Sequence, residues 1–411
     1  MKSEFLQIIQ SRGFFHQATD FEALDILMST KSITGYIGFD MTADSLHVGS
    51  LVQIMMLRWL QKTGHRPLIL LGGGTTKVGD PSGKDAARQM LDDAAIQKNT
   101  MGIRKSFEPF IDMNQAIMLN NDTWLSTLNY IEFLRDYGRH FSINRMLAFD
   151  SVKLRLEREQ TLSFLEFNYM ILQGYDFLEL FRRHDCVLQM GGSDQWGNIV
   201  NGVELTRRCL SQPVYGLTSP LITTSSGAKM GKTSSGAVWL NTDRLSAYEY
   251  WQFWRNTEDA DVGRYLRLFT ELPLHEINRL EALEGAEIND AKKILADQTT
   301  GLAHGHDCLI NIHNTTASLY ENQAGSLDSL PSFEISSTEV NKNMLIVDLL
   351  ILSGLTTSKG EARRLIQGNG ARLNDNPILE EAQKITPELF QNGMLKLSAG
   401  KKRHVVIKLS E

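Results

Sequence analysis

At 411 residues the chain is too long for one ordinary core, and 42% hydrophobic with 22% charged residues is the balance of a soluble globular protein of two or three domains, not a disordered or fibrous one. A net charge of −6 argues against a protein that coats nucleic acid through bulk charge, and three cysteines (Cys186, Cys209, Cys308) without CxxC spacing suggest neither a disulfide framework nor a zinc site. The N-terminus lacks an apolar core of signal-peptide length and no segment approaches the roughly 18 apolar residues that span a bilayer, so a cytoplasmic protein without a membrane partner is expected.

From residue 33 to about 240, short apolar runs alternate with longer helical patterns. "ITGYIGF" (33–39), "PLILLGGG" (67–74), "CVLQMGG" (186–192) and "SPLITT" (219–224) read as buried strands, while 46–64 and 163–183 carry apolar residues at helical spacing. The alternation predicts an α/β, Rossmann-like domain over 1–245 with a mostly parallel sheet covered on both faces. In such sheets ligands bind beyond the carboxyl ends of the strands, where the glycine-rich "GGGTTKVGDPSGK" (72–84) and "GGSDQWGN" (191–198) fall. Residues 246–320 lack strand-like runs and read as an α-helical domain. A polar, serine-rich stretch over 321–343 reads as a linker. The remainder, 344–411, recovers a core pattern as one small α+β module. Ten Lys/Arg against seven Asp/Glu in 345–411 give it a net +3, against −9 for the rest of the chain.

Three constellations carry chemistry. In "GFDMTADSLHVGSL" (38–51) a strand ends, small and acidic residues follow, and His47-Val48-Gly49-Ser50 opens a helix whose N-terminal N–H groups and dipole suit phosphate. His47 can donate to a phosphate and Gly49 leaves room for a flat base or ribose; a histidine at a helix start also commonly serves as a cap or packing residue. Tyr169, Gln173 and Asp176 recur at i, i+4 and i+7, placing three polar groups on one face of an apolar helix, either as a buried triad in need of partners or as a hydrated face. "SGAKMGKTSSG" (226–236) has Ser226 where a Walker A loop needs glycine. Its close lysines suit several phosphates of one ligand, or a surface turn. A P-loop would also open a helix, whereas Thr233 is followed by glycine and β-type residues, and no Walker B aspartate can be placed.

The order His-x-Gly-Ser, a glycine-rich middle, then Lys229-Met230-Gly231-Lys232-Thr233 resembles the two signatures of the class I aminoacyl-tRNA synthetases. "GDPSGK" (79–84) and "GGSDQWGN" narrow the resemblance to the bacterial tyrosyl type, over essentially the whole chain. The usual second histidine of the first signature is Ser50 here, and Gly231 and Thr233 replace serines of the general second signature. The resemblance implies tyrosine–tRNA ligation: attack of the tyrosine carboxylate on the α-phosphate of ATP, then transfer to the terminal ribose of tRNA(Tyr). It implies that Tyr36 and Asp176 bond the substrate phenol and that Tyr169, Gln173 and Asp80 hold its ammonium, with Gln195 and Gln189 in support. His47 and Thr42 would contact the phosphates. Gly38, Asp40, Gly49, Ser50, Gly192 and Asp194 would shape the ATP site. Lys229, Lys232 and Thr233 would meet the leaving pyrophosphate, assisted by Lys84 and Arg88. ATP enters as a substrate with Mg²⁺; no permanently bound cofactor and no dedicated protein metal cage is expected.

The last block resembles a small RNA-binding module shared with a ribosomal protein. Lys359 and Arg363 at i, i+4, with Arg364 alongside, and the basic "GKKRHVVIKL" (400–409) offer a stripe for an RNA backbone, or a solvated helix face. Arg207 and Arg208 fit either the acceptor stem or a helix C-terminal charge pair. The resemblance also implies a homodimer, with 129–150 and Phe164 near the interface. The tryptophanyl enzyme is the rival within the class, a P-loop NTPase the rival enzyme, and a catalytically silent RNA-binding relative the rival outside enzymes.

Overall fold

Runs of aliphatic and small residues give strands β2 (Thr34–Asp40), β3 (Arg66–Gly72), β4 (Ile117–Asn120), β5 (Cys186–Gly192) and β6 (Tyr215–Ser219), all parallel, with the two-residue β1 (Gln17–Ala18) antiparallel at one edge. The spatial order is β1-β6-β5-β2-β3-β4. From β2 the chain moves outward through β3 and β4, then returns to the other flank of β2 with β5. The β2/β5 boundary is therefore the place where a crevice opens at the carboxyl ends. The computed structural model describes residues 1–82, 91–227, 230–233, 236–320, 330–340, 344–391, 393–400 and 403–410.

The chain divides into two compact units, residues 1–245 with 253–304, and residues 246–252 with 305–411. In the first, the helix Val48–Lys62 is buried over most of its circumference because it lies against the sheet on one side and the helix Val262–Phe269 on the other. Arg58 and Lys62 both pair with Glu271, at 2.7 and 2.9 Å, and the Arg12 guanidinium lies 4.6 Å from the Trp59 ring while donating to the carbonyls of Arg267, Thr270 and Leu272. These contacts explain a departure from the expected helical domain over 246–320, whose 253–304 part folds with the first unit.

The strand expected at 219–224 ends at Ser219, opposite Gly192, because Pro220 has no N–H to continue the ladder. The second unit holds a five-stranded sheet in the order β11-β10-β12-β13-β9, from β9 (Ser332–Ser336), β10 (Ala371–Leu373), β11 (Asn376–Pro377), β12 (Met394–Ala399) and β13 (Arg403–Ser410). β9 lies inside the stretch expected to be a linker. Its serines suggest a linker, yet Phe333 and Ile335 alternate with Ser332, Glu334 and Ser336, so one face packs in the core while the backbone pairs in parallel with β13. The helix Lys359–Gln367 caps its start with Ser358.

Candidate active site

A cavity of about 540 Å³ opens at the carboxyl ends of β2 and β5. It is lined by Tyr36, Gly38, Asp40 and Thr42 from β2 and its exit, His47, Gly49 and Ser50 from the helix start, Asp80, then Tyr169, Gln173 and Asp176 from one helix, and Gly192, Asp194 and Gln195 after β5. Every sequence-selected residue of the amino-acid and ATP sites within the described residues therefore meets at one place, save the second signature's Lys232 and Thr233, of which only the backbone is described. Lys84, Arg88 and Lys229 lie outside the described residues.

The helix Phe164–His184 owes its placement to a capping box, in which Ser163 and Glu166 satisfy each other's backbone N–H, and to Arg155, which pairs with Glu166 at 2.8 Å with both side chains buried. Three turns in, Asp176 is buried. Its Oδ1 accepts the Trp124 indole N–H at 2.7 Å and its Oδ2 the Asn121 amide at 2.9 Å. Burial pushes its carboxyl up to about 7, against those two donors and with help from the Asp40 charge. The buried Tyr36 hydroxyl has no hydrogen-bond partner among the described residues, and burial together with Asp176 raises its pKa well above the ordinary phenol value.

A second network runs toward the mouth. Asp40 Oδ1 accepts from Thr75 at 3.0 Å and from the Tyr169 hydroxyl at 3.2 Å, while Asn121 also donates to Thr75 at 3.1 Å. Asp80 accepts the Ser82 N–H and the Gln195 amide, at 2.9 and 2.8 Å. Asn198 donates to both Gln173, at 2.8 Å, and Gln195, at 3.2 Å. Tyr169 thus touches Asp40, and Gln173 and Gln195 are locked together through a third side chain. Asn121, Trp124, Thr75 and Asn198 were not singled out in the sequence. The only signal for the first pair is a polar Asn120-Asn121 at the end of a half-buried strand; Asn198 sits inside the quoted "GGSDQWGN". Gln53 was missed as well: its amide N–H donates to Ser219 at 3.1 Å, and its buried carbonyl lines the cavity without a partner among the described residues.

The two signatures, some 180 residues apart, touch. His47 is the N-cap of its helix, its Nδ1 accepting the Gly49 N–H at 3.0 Å, so the neutral ring carries its proton on Nε2. Gly49 is required on both sides: a Cβ there would come within 2.7 Å of the His47 ring and 3.2 Å of the Met230 carbonyl. Gly231, at φ +81°, would place a Cβ 2.7 Å from the Gly49 nitrogen. Backbone bonds Val48 N–H to Val238 and Leu240 N–H to Leu46 complete the seam. After Gly231 the chain forms the two-stranded ribbon β7 (Lys232–Thr233) and β8 (Gly236–Ala237), antiparallel, and not the helix that a P-loop requires. Among the described residues no group of three or more His, Cys, Asp or Glu is placed to hold a metal.

Arg207 and Arg208 lie away from the cavity, in the last turn of the helix Trp196–Leu210, both paired with Glu204, and Arg208 also donates to the His140 carbonyl. In the second unit Lys359 pairs with Asp348 at 2.7 Å and Arg363 with Glu381 at 3.3 Å. No helix among the described residues is long and apolar enough to cross a membrane.

Residues 28–321 match the family model for tRNA synthetases class I (W and Y). The tyrosine–tRNA ligase of Rhodospirillum rubrum is 58% identical over 412 aligned positions, covering 99% of this chain and 98% of that one. That of Caulobacter sp. strain K31 is 58% identical over 411, with the same coverage. A C-terminally truncated mitochondrial tyrosyl-tRNA synthetase of Aspergillus nidulans superposes with a TM-score of 0.69 at 32% identity, covering 78% of this chain and 95% of that one. Given a family match over well more than half its length and relatives 58% identical along almost all of it, the chain belongs to the class I tRNA synthetases of the W and Y type, among the tyrosine–tRNA ligases.

Proposed function

We propose that this chain activates L-tyrosine with ATP to tyrosyl-adenylate and pyrophosphate and then transfers the tyrosine to the 3′ end of tRNA(Tyr). The observation that carries the amino-acid choice is the buried Tyr36 hydroxyl beside Asp176 at the floor of the cavity. A tyrosine phenol donates to the carboxylate and accepts from Tyr36. Phenylalanine leaves the Tyr36 hydroxyl buried and unpaired and offers Asp176 no donor beyond Asn121 and Trp124, which costs it binding without any editing step. Asp80 and Gln173, kept in place by Gln195 and Asn198, and Tyr169, bonded to Asp40, meet the ammonium nearer the mouth.

The carboxylate then attacks the α-phosphorus in line and the bond to pyrophosphate breaks, so no protein nucleophile is needed. The protein's work is to hold the reactants and to stabilise charge developing on the phosphates. Gly38, Asp40, Gly49, Ser50, Gly192 and Asp194 frame the nucleotide. His47, with its Nδ1 engaged by the helix start, offers Nε2–H to a phosphate, next to Thr42. Lys229, Lys232 and Thr233, with Lys84 and Arg88, take the departing pyrophosphate. Mg²⁺ arrives with ATP as part of that substrate.

For the transfer step, Lys359, Arg363 and Arg364 on the capped helix of the C-terminal module, and Arg207 with Arg208, are the contacts for tRNA; acidic neighbours on four of the five make these exchangeable ion pairs, screened by salt. The domain roles follow: a catalytic 1–245, a helical tRNA-recognition segment after it, and an RNA-binding module at the end. Large apolar side chains at Tyr130, Ile131, Ile143 and Phe164 are 59 to 71% exposed, which suits a homodimer, and work on tyrosine, ATP and tRNA is compatible with a cytoplasmic enzyme. Tyrosine-dependent ATP–pyrophosphate exchange is the test. Exchange with tyrosine, not with phenylalanine or tryptophan, and lost in Asp176→Ala and Lys232→Ala, is expected; exchange with no amino acid would sink the reading.

A further inference from the structure

The stretch that leads into the second signature is held at its base by a segment with no part in the cavity. Ser225 donates its N–H to Asp261 Oδ2 at 2.8 Å and its hydroxyl to Glu258, and the Ser226 hydroxyl reaches the other oxygen of Glu258 at 3.0 Å. Arg264 donates to the Thr223 carbonyl and pairs with the buried Asp261 at 2.6 Å. Three charged side chains within seven residues thus converge on three residues, Thr223, Ser225 and Ser226, a short way ahead of Lys229-Met230-Gly231-Lys232. Hydrogen bonds to ionised groups are the short, strong kind. At its far end the same stretch rests on the helix start through Gly231 and Val238. The described residues on the two sides of the second signature are therefore held at two points, and only one of them belongs to the nucleotide site.

We propose that Glu258, Asp261 and Arg264 are positioning residues for the second signature: they set where Thr223–Ser226 stand, and through that short chain the distance from the signature lysines to the phosphates of ATP. This rests on the reading that Lys232 meets those phosphates. A displacement of about 1 Å by a change remote from the chemistry can cost on the order of 100-fold in rate. Glu258 is exposed, so removing it leaves the core intact, unlike the buried Asp261.

Glu258→Ala, Glu258→Gln, the pair Ser225→Ala with Ser226→Ala, and all three alanines together are compared in pyrophosphate exchange, with Lys232→Ala in parallel. Expected is a loss of about 10- to 100-fold in kcat/KM for ATP in Glu258→Ala, with KM for tyrosine and the melting temperature unchanged. The serine pair should lose as much and the triple variant no more, since all sever one contact, and Glu258→Gln should recover part of the loss. An unchanged kcat/KM for ATP in Glu258→Ala, a loss shared equally with tyrosine, or additive losses in the triple variant would overturn the proposal. If Lys232→Ala abolishes exchange while Glu258→Ala does not, only the positioning role fails; if Lys232→Ala keeps exchange, the phosphate role of the loop fails and the positioning role with it.

Discussion

Burial lifts the Asp176 carboxyl to about 7, although Asn121 and Trp124 both donate to it. A folded-state value above the ordinary carboxylate value near 4 means that folding favours the protonated form; this group's contribution to stability is complete below about pH 4 and disappears as pH rises through about 7. Substrate binding has the opposite preference, because the ionised carboxylate is the better acceptor for a phenol. Tyrosine affinity should therefore weaken as pH falls from about 8.5 to about 6, followed by calorimetric titration of the protein with tyrosine; a dissociation constant flat across that range would contradict the elevated value. Tyr169, Gln173 and Asp176 were legible as one face because a helix converts sequence spacing into direction. Asn121, Trp124 and Asn198 were not, since each reaches a partner on another element and spacing within one segment says nothing of that.

The helix Phe164–His184 shows the same division one level up. Its start is written in Ser163 and Glu166, a three-residue spacing any reader can find, whereas Arg155, on a neighbouring helix, is invisible until the chain folds. Burial pushes the Glu166 carboxyl up, but the Arg155 pair and the Ser163 bonds outweigh it and hold the group below its usual value, so its contribution is present at neutral pH and is lost as pH falls through that lowered value. Removing one member of a buried pair strands the other. Arg155→Ala should cost about 3–5 kcal/mol in denaturant unfolding, while the double replacement Arg155→Met with Glu166→Gln, which keeps an acceptor for the Ser163 cap, should recover part of it. A cost below about 1 kcal/mol would mean that the pair is solvated in solution. β9 was misread for a related reason: its serines carried the composition of a linker, and the period of two in Phe333 and Ile335 is short enough to be overlooked until β13 lies alongside.

At the scale of the whole molecule the strand–helix alternation was readable because a parallel sheet buried on both faces leaves long apolar runs, and the β2/β5 crevice followed from it. The division into units was less legible, since Arg12, Arg58, Lys62 and Glu271 tie 253–304 to the first unit through single side chains scattered over the sequence. The exposed apolar residues between 130 and 164 predict self-association: Ile131→Asp with Ile143→Asp should lower the mass measured by equilibrium sedimentation toward that of one 46.3 kDa chain, and an unchanged mass would place the contact elsewhere. Backbone pairing along the catalytic sheet offers little such route. The catalytic sheet ends in its shortest strands, Gln17–Ala18 on one side and Ile117–Asn120 on the other. Only a few open N–H and C=O groups are left at either margin, too few to template a strand from a stranger. A sheet of slow-forming parallel pairings is thereby closed to runaway polymerisation, and any assembly it enters must be specified by side chains.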